Sequence, residues 1–247
     1  MNHNNFPQNS AKIIVALAMM TIFIFVLSGC GRSSLEIFPI EEPIETSCNP
    51  IFCPDTDNIR YNSYVLQGKI TALFDSLPLE YEDVFQISRQ SLGIELEDIS
   101  LVILSHAGED NIAGLKQMQK EYGVKIAINK KSAKQLAELG IKADLKLDFS
   151  DGDIDLRKYG LGLIAFEAPS WEENNIALSF NDGTILTGNL VNSGNHRISM
   201  QIPEDASDLE IETLRNTIDI LVKHQPNLLL PFHGDAFDIV SLNHLVR

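Results

Sequence analysis

The chain has 247 residues, 44% of them hydrophobic, enough for one domain with a substantial core. Its 34 acidic and 19 basic residues give a formal charge of −15. That balance argues against nucleic acid, whose phosphates reward clustered Lys and Arg, and it discourages flat docking onto anionic lipid.

Residues 1–12 are mostly polar with one cation, Lys12, and residues 13–27 form an apolar run interrupted by Thr21. The run is short for a membrane span and has the length of a signal h-region. It leads into Leu27-Ser28-Gly29-Cys30, which resembles the lipobox of bacterial lipoproteins. The resemblance implies cleavage before Cys30, a diacylglycerol on its sulfur, and an exported domain anchored to the bacterial cell membrane or outer membrane. An uncleaved anchor helix is the other reading, and it too leaves the chain exported and tethered. Removing a leader whose only charge is Lys12 takes the formal charge from −15 to −16.

Residues 1–29 therefore read as signal peptide, 30–57 as lipidated cysteine and tether, and 58–247 as one domain. Cys48 and Cys53 fall in the tether. In an oxidising compartment a small disulfide loop is expected there, ahead of two free thiols or a metal pair. The pair is two residues too far apart for a Cys-x-x-Cys redox motif.

From residue 60 the pattern is regular. Strand-like runs at 61–66 and 70–75 flank Gly68-Lys69, a hairpin signal. Helical spacing covers 80–92, and an apolar strand covers 99–104. The loop Ser105-His106-Ala-Gly108-Glu109-Asp110-Asn111 follows, then a helix at 113–122, a strand at 124–128 and a helix at 131–139. Strands are expected at 144–147, 154–156, 161–167, 176–180 and 184–187, with Asn181-Asp182-Gly183 as the last hairpin turn. A helix at 209–223 and a strand at 227–230 lead to Pro231-Phe232-His233-Gly234. Hairpins, β-α-β-α, hairpins, then α-β fit two sheets with helices on their outer faces.

The segment 101–115, with His106, Asp110 and Gly114, resembles the metallo-β-lactamase superfamily motif His-x-His-x-Asp-His. Tyr61-Asn-Ser-Tyr, Thr184-Ile-Leu-Thr-Gly-Asn189 and Leu229-Leu-Pro-Phe-His233-Gly234 are similar to further landmarks of that family, in the same order. Within it, Ser170-Trp171 and the run from Gly188 to His196 most resemble the β-lactamase-like half of flavodiiron proteins, without their flavodoxin half. The resemblance implies an α/β fold, the metallo-β-lactamase-like αββα sandwich.

It also implies a two-metal centre, position by position. The first metal takes His106, Gly108 and Ser170 or Trp171, of which only His106 can bind. The second takes Asp110, Asn111 and His233, of which Asp110 and His233 can bind. The bridging carboxylate falls on Asn189, a neutral amide that cannot offset two adjacent dications. A catalytic zinc has three protein ligands and one open position, and neither subsite keeps three.

The expectation is a degenerate centre with no cofactor, or at most one Zn or Fe ion shared by His106, Asp110 and His233. Glu109, Glu172, Glu173 or His196 could supplement it. Structural roles compete for the same residues: Asp110 as a helix cap or as an ion-pair partner of His106, His233 as a hydrogen-bonded turn residue, and Asp75 as a support for the ligand loops. His224, near a helix end, reads as a dipole contact. The implied function is a non-catalytic binding or accessory lipoprotein, with a protein partner or small ligand at the old cleft. The alternative is a mononuclear metal-dependent hydrolase acting on an ester, phosphoester or lactam.

Overall fold

The computed structural model describes residues 44–53, 61–76, 86, 90, 92–170, 174–194, 197–199 and 206–238. The leader and Cys30 lie outside the described residues, as do most of the helix expected at 80–92 and the side chains of Trp171, Glu172, Glu173 and His196. Thirteen strands are present among the described residues: β1 (Ser47–Cys53), β2 (Tyr61–Gln67), β3 (Thr71–Phe74), β4 (Ile99–Ile103), β5 (Lys125–Asn129), β6 (Leu145–Leu147), β7 (Ile154–Asp155), β8 (Ile164–Glu167), β9 (Ile176–Ser179), β10 (Thr184–Gly194), β11 (Arg197–Ser199), β12 (Leu228–His233) and β13 (Phe237–Asp238). The α-helices that lie wholly within the described residues are α1 (Leu115–Tyr122), α2 (Ala133–Glu138) and α3 (Asp208–Lys223), and residues 86, 90 and 92 are also helical.

The main strand order is β6-β5-β4-β3-β2-β12-β10-β9-β8-β7. Its two halves meet through a single residue pair, Tyr61 with His233. Side-chain alternation shows how they stack. Tyr64, Leu66, Phe74, Leu101 and Ile103 of the first half share one core with Ala165, Ile176, Leu178 and Leu186 of the second. Their neighbours Val65, Leu73, Val102 and Ile126 point the other way, onto Leu115 and Met118 of α1 and Leu136 of α2. In the second half Phe166, Ala177, Ile185 and Leu229 pack against Leu214 and Leu221 of α3. Helix, sheet, sheet, helix is the expected αββα sandwich.

α3 begins at a reciprocal capping box, in which Ser207 accepts from the Glu210 N–H and the Glu210 carboxylate accepts from the Ser207 N–H. The hairpin between β9 and β10 turns at Gly183, whose φ of 83° suits glycine.

Two expectations about the N-terminal stretch are corrected. Residues 47–53 are sheet rather than tether: β1 pairs with β2 along its whole length. Among the described residues β1 has a strand on one side only, so the missing N–H of Pro50 can face away from the ladder. The disulfide is excluded by the same geometry. Cys48 sits opposite Leu66 and Cys53 opposite Tyr61, and five residues of extended strand span ~16 Å, whereas a disulfide holds its Cα atoms within ~7 Å. Cys48 is a free thiol. β11 and β13 are also additional to the expected strands, and β10 runs on to Gly194. No helix among the described residues is long and apolar enough to cross a membrane.

Candidate functional site

Strand ends from both halves converge at one rim of the sandwich. β4 delivers Ser105 and His106, which are almost fully buried. The Ser105 carbonyl accepts from Ile176 N–H at 2.9 Å, tying this loop to the second half. Gly188 approaches from β10, where a Cβ would lie 2.3 Å from the Ser105 Cβ. A side chain cannot occupy that space, and a φ of 57° also favours glycine. β12 ends in Phe232 and His233. Asn62 clamps that end by donating to the carbonyls of Pro231 (2.9 Å) and Gly234 (2.7 Å), and the Tyr64 hydroxyl donates to Pro231 at 2.6 Å.

The Asp110 carboxylate stands between two imidazoles. Its Oδ1 lies 3.5 Å from His106 Nε2 and its Oδ2 lies 3.6 Å from His233 Nε2, ion-pair distances rather than short hydrogen bonds. The other ring nitrogen of His106 is 2.8 Å from the Ser105 hydroxyl. Aromatic edges wall the rings in: Phe232 meets His106 at 5.6 Å between centroids, and Tyr61 meets His233 at 4.8 Å. Three of the residues singled out in the sequence, His106, Asp110 and His233, are thus brought together, although His233 is distant from the others in the chain.

Electrostatics follow from burial. Desolvation pulls the His233 ring down to about 4, with Asp110 pulling the other way and His106 adding to the depression. His233 is therefore neutral at pH 7. Burial alone would raise the Asp110 carboxyl, but the hydrogen-bonding and charge interactions with His106, aided by His233, hold it below its ordinary value. Asp110 does not cap a helix. α1 starts at Leu115 with Gly114 as its N-cap, and Asp110 lies in a separate 3-10 turn, Glu109–Asn111.

Asn111 is turned away from the two imidazoles and into the support of the loop. Its amide nitrogen donates to Asp75 Oδ1 and its oxygen accepts from Ser76 N–H at 2.6 Å. Asp75, with φ 60°, also accepts from Ser105 N–H at 2.7 Å, and its carbonyl accepts from the Ser63 hydroxyl at 2.7 Å. Complete burial pushes its carboxyl above the usual range, against the opposing pull of His106, Ser105 and Asn111. This matches the loop-supporting role expected of Asp75. The left-handed conformation is one that Asp tolerates better than most residues.

Gly108 leaves no room for a ligand. A Cβ there would sit 2.5 Å from Asp110 Oδ1 and 2.6 Å from His106 Nε2. Asn189 is 3% exposed; its N–H donates to Asn175 Oδ1 at 3.1 Å, and its own Oδ1 has no hydrogen-bond partner among the described residues. Ser170 is buried beyond β8. His224 closes α3 as its C-cap. Its ring stacks on Phe166 at 3.7 Å, and burial lowers its pKa despite Asp153.

The donor set does not suit a two-metal centre. Asn111 is committed to Asp75 and Ser76, Gly108 offers no donor, and among the described residues no group of three or more His, Cys, Asp or Glu is arranged to hold a metal ion. The asparagine commitments, the Gly188 contact and the aromatic walls were not expected from the sequence, although Asn62 and Gly188 lie inside motifs that it displays.

Comparison with known proteins gives a consistent answer. The solved structures similar to this chain include a metallo-beta-lactamase from Pontibacter korlensis (TM-score 0.60, 17% identity, covering 85% of this chain and 96% of that one). A second is a metallo beta lactamase from Hirschia baltica (TM-score 0.59, 18% identity, covering 82% and 95%). These likenesses establish the fold alone. No curated protein matches the chain. The family model for the metallo-beta-lactamase superfamily matches residues 57–201, more than half of the chain, and the protein belongs to that superfamily.

Proposed function

We propose that this protein is an exported, lipid-anchored lipoprotein whose metallo-β-lactamase-like domain works by binding rather than by metal-dependent catalysis. One observation carries the reading: Asn111 is spent on Asp75 and Ser76, and Gly108 offers no donor and no room for one. In a metal-dependent hydrolase those positions would face the ion and its water. Here neither position can, and the rim around His106, Asp110 and His233 is left as a surface for a protein partner or small ligand. The anchor is supported by the apolar run at 13–27 and Cys30.

The competing reading, a mononuclear hydrolase of an ester, phosphoester or lactam, has only His106, Asp110 and His233 to draw on. Metal content of the zinc- and iron-replete protein separates the two, with His106→Ala and His233→Ala alongside. The binding reading expects less than about 0.1 ion per chain; about one ion per chain, lost in both variants and accompanied by hydrolysis of phosphodiester or ester substrates, overturns it.

A further inference from the structure

The formal charge of −15 is an average over a segregated surface. Between residues 116 and 146 the chain carries eight lysines and three acids, leaving eleven basic and thirty-one acidic residues for the rest. This stretch comprises α1, β5, α2 and β6, and the fold brings Lys116, Lys120, Lys142 and Lys146 to its helical side. Lys116 and Lys120 are one helical turn apart on α1 and exposed, opposite the buried Leu115 and Met118. The Lys116 ammonium lies beside Gly140, and Gln119 binds the Lys142 carbonyl at 2.8 Å, so α1 and the 140–144 loop are contiguous. On β6 the flanking Leu145 and Leu147 turn into the inner core. Lys146 therefore faces the helical side by strand alternation.

The pairing on this face is partial. Lys130, Lys131, Lys134 and Lys142 have carboxylate partners, Asp148, Glu167, Glu138 and Asp144, and exposed pairs of this kind exchange readily. Lys116, Lys120 and Lys146 have no ion-pair partner among the described residues.

We infer that the α1–α2–β6 lysine face docks on an anionic phospholipid surface, orienting the anchored domain on its own membrane. Charge complementarity selects the partner, and the inference rests on the lipid anchor proposed above. The chain between Cys30 and Ile44 reaches at most ~50 Å, so an anchored domain stays within reach of its own bilayer. Only charges within a Debye length of ~8 Å feel the bilayer, so the acidic remainder does not cancel the contact. Each lysine near such a surface raises partitioning about fivefold.

The test uses the full chain, made with its own leader and reconstituted into vesicles of phosphatidylcholine alone or with about a third phosphatidylglycerol. Lysines are acylated with a water-soluble reagent and read by mass spectrometry. Labelling of Lys116, Lys120 and Lys146 is expected to fall severalfold on the anionic vesicles and to recover in ~0.5 M salt, with Lys69, Lys158 and Lys223 unchanged. In the triple variant Lys116→Glu/Lys120→Glu/Lys146→Glu, protection of Lys134 and Lys142 should vanish at unchanged thermal stability. Equal labelling on both vesicle types overturns the inference, as does protection that needs an added acidic protein rather than lipid. The mass of the Cys30 peptide and co-flotation with vesicles report the anchor separately. An anchored chain with equal labelling refutes only the face, whereas a chain without lipid that does not float refutes the anchor, and the face falls with it.

Discussion

The buried His233 ring makes stability fall as the medium is acidified, by an amount the structure allows to be worked out. Its folded-state value is about 4, against an ordinary 6.5. Between those values the unfolded chain binds a proton that the folded chain refuses, so ΔG of unfolding falls as pH drops below 6.5 and levels off below 4. At 1.36 kcal/mol per unit the full effect is about 3 kcal/mol, and between pH 7.5 and pH 5 about 2 kcal/mol is realised. Asp75 acts in the opposite direction: its raised carboxyl takes up a proton on folding, which adds stability as pH falls towards the unfolded value. The two are separated by His233→Gln, which keeps a polar side chain and removes the titration. Urea denaturation at pH 7.5 and pH 5 should show the wild type losing about 2 kcal/mol more than the variant. A ring-proton titration of His233 should have its midpoint near 4. Parallel stability curves for wild type and variant would refute the argument.

Gly108→Ala forces its Cβ onto the Asp110–His106 contact, where 2.5 Å is available. Parting the pair should cost about 1–3 kcal/mol, read as a loss of roughly 3–10 °C in Tm. Asn111→His, the substitution that restores a family ligand, should not restore metal binding and should cost about 1–3 kcal/mol, because it cuts the links to Asp75 and Ser76; metal analysis and urea denaturation check both halves. The Cys48 thiol is pushed up to about 12, by burial first and by Asp182 second, so alkylation at pH 8 should be slow in the native protein and fast in denaturant.

The fold was legible because the strands flanking the core alternate or run apolar. Val65, Leu73 and Val102 differ from their neighbours only in the layer they face. β1 was not legible. Pro50 and the surrounding polar and acidic residues read as linker, and only its ladder to β2 makes a strand of it. β10 was underestimated because Gly188, Asn189, Asn192, Ser193 and Gly194 are weak strand formers. Pairing with β12, irregular at Gly188 and Asn192, sustains it instead. At the site, residue types identified the centre, but the sequence could not show what replaces the missing ligands. Asn111 reads as a neutral substitute for histidine until its amide is seen linking Asp75 to Ser76. The convergence of Tyr61, Phe232 and His106 depends on the two half-sheets meeting at one residue pair.

One replacement at the ligand positions also has an electrostatic reading. A carboxylate ligand built for cations becomes a buried anion when the cations are gone, and an uncompensated buried charge costs several kcal/mol. The amide at 189 removes that cost at the bridging position, whereas Gly108 and Asn111 stand where the motif has histidines, which carry no charge of their own near neutral pH. Asp110 is the acid that remains between the rings, held by His106 and His233, and Asp75 beneath it is biased towards its neutral form. Position 189 tests this reasoning most directly, because Asn189 is 3% exposed and its Oδ1 is unpartnered among the described residues. Asn189→Asp places a charge there without a cation and should cost about 2–5 kcal/mol near neutral pH. The cost should shrink on acidification as the carboxylate is neutralised, and zinc should not relieve it. A variant as stable as the wild type in the presence of a chelator would sink the electrostatic account. A variant whose stability returned in proportion to added zinc would show that this centre still accommodates a metal, and the binding-only reading would have to be abandoned.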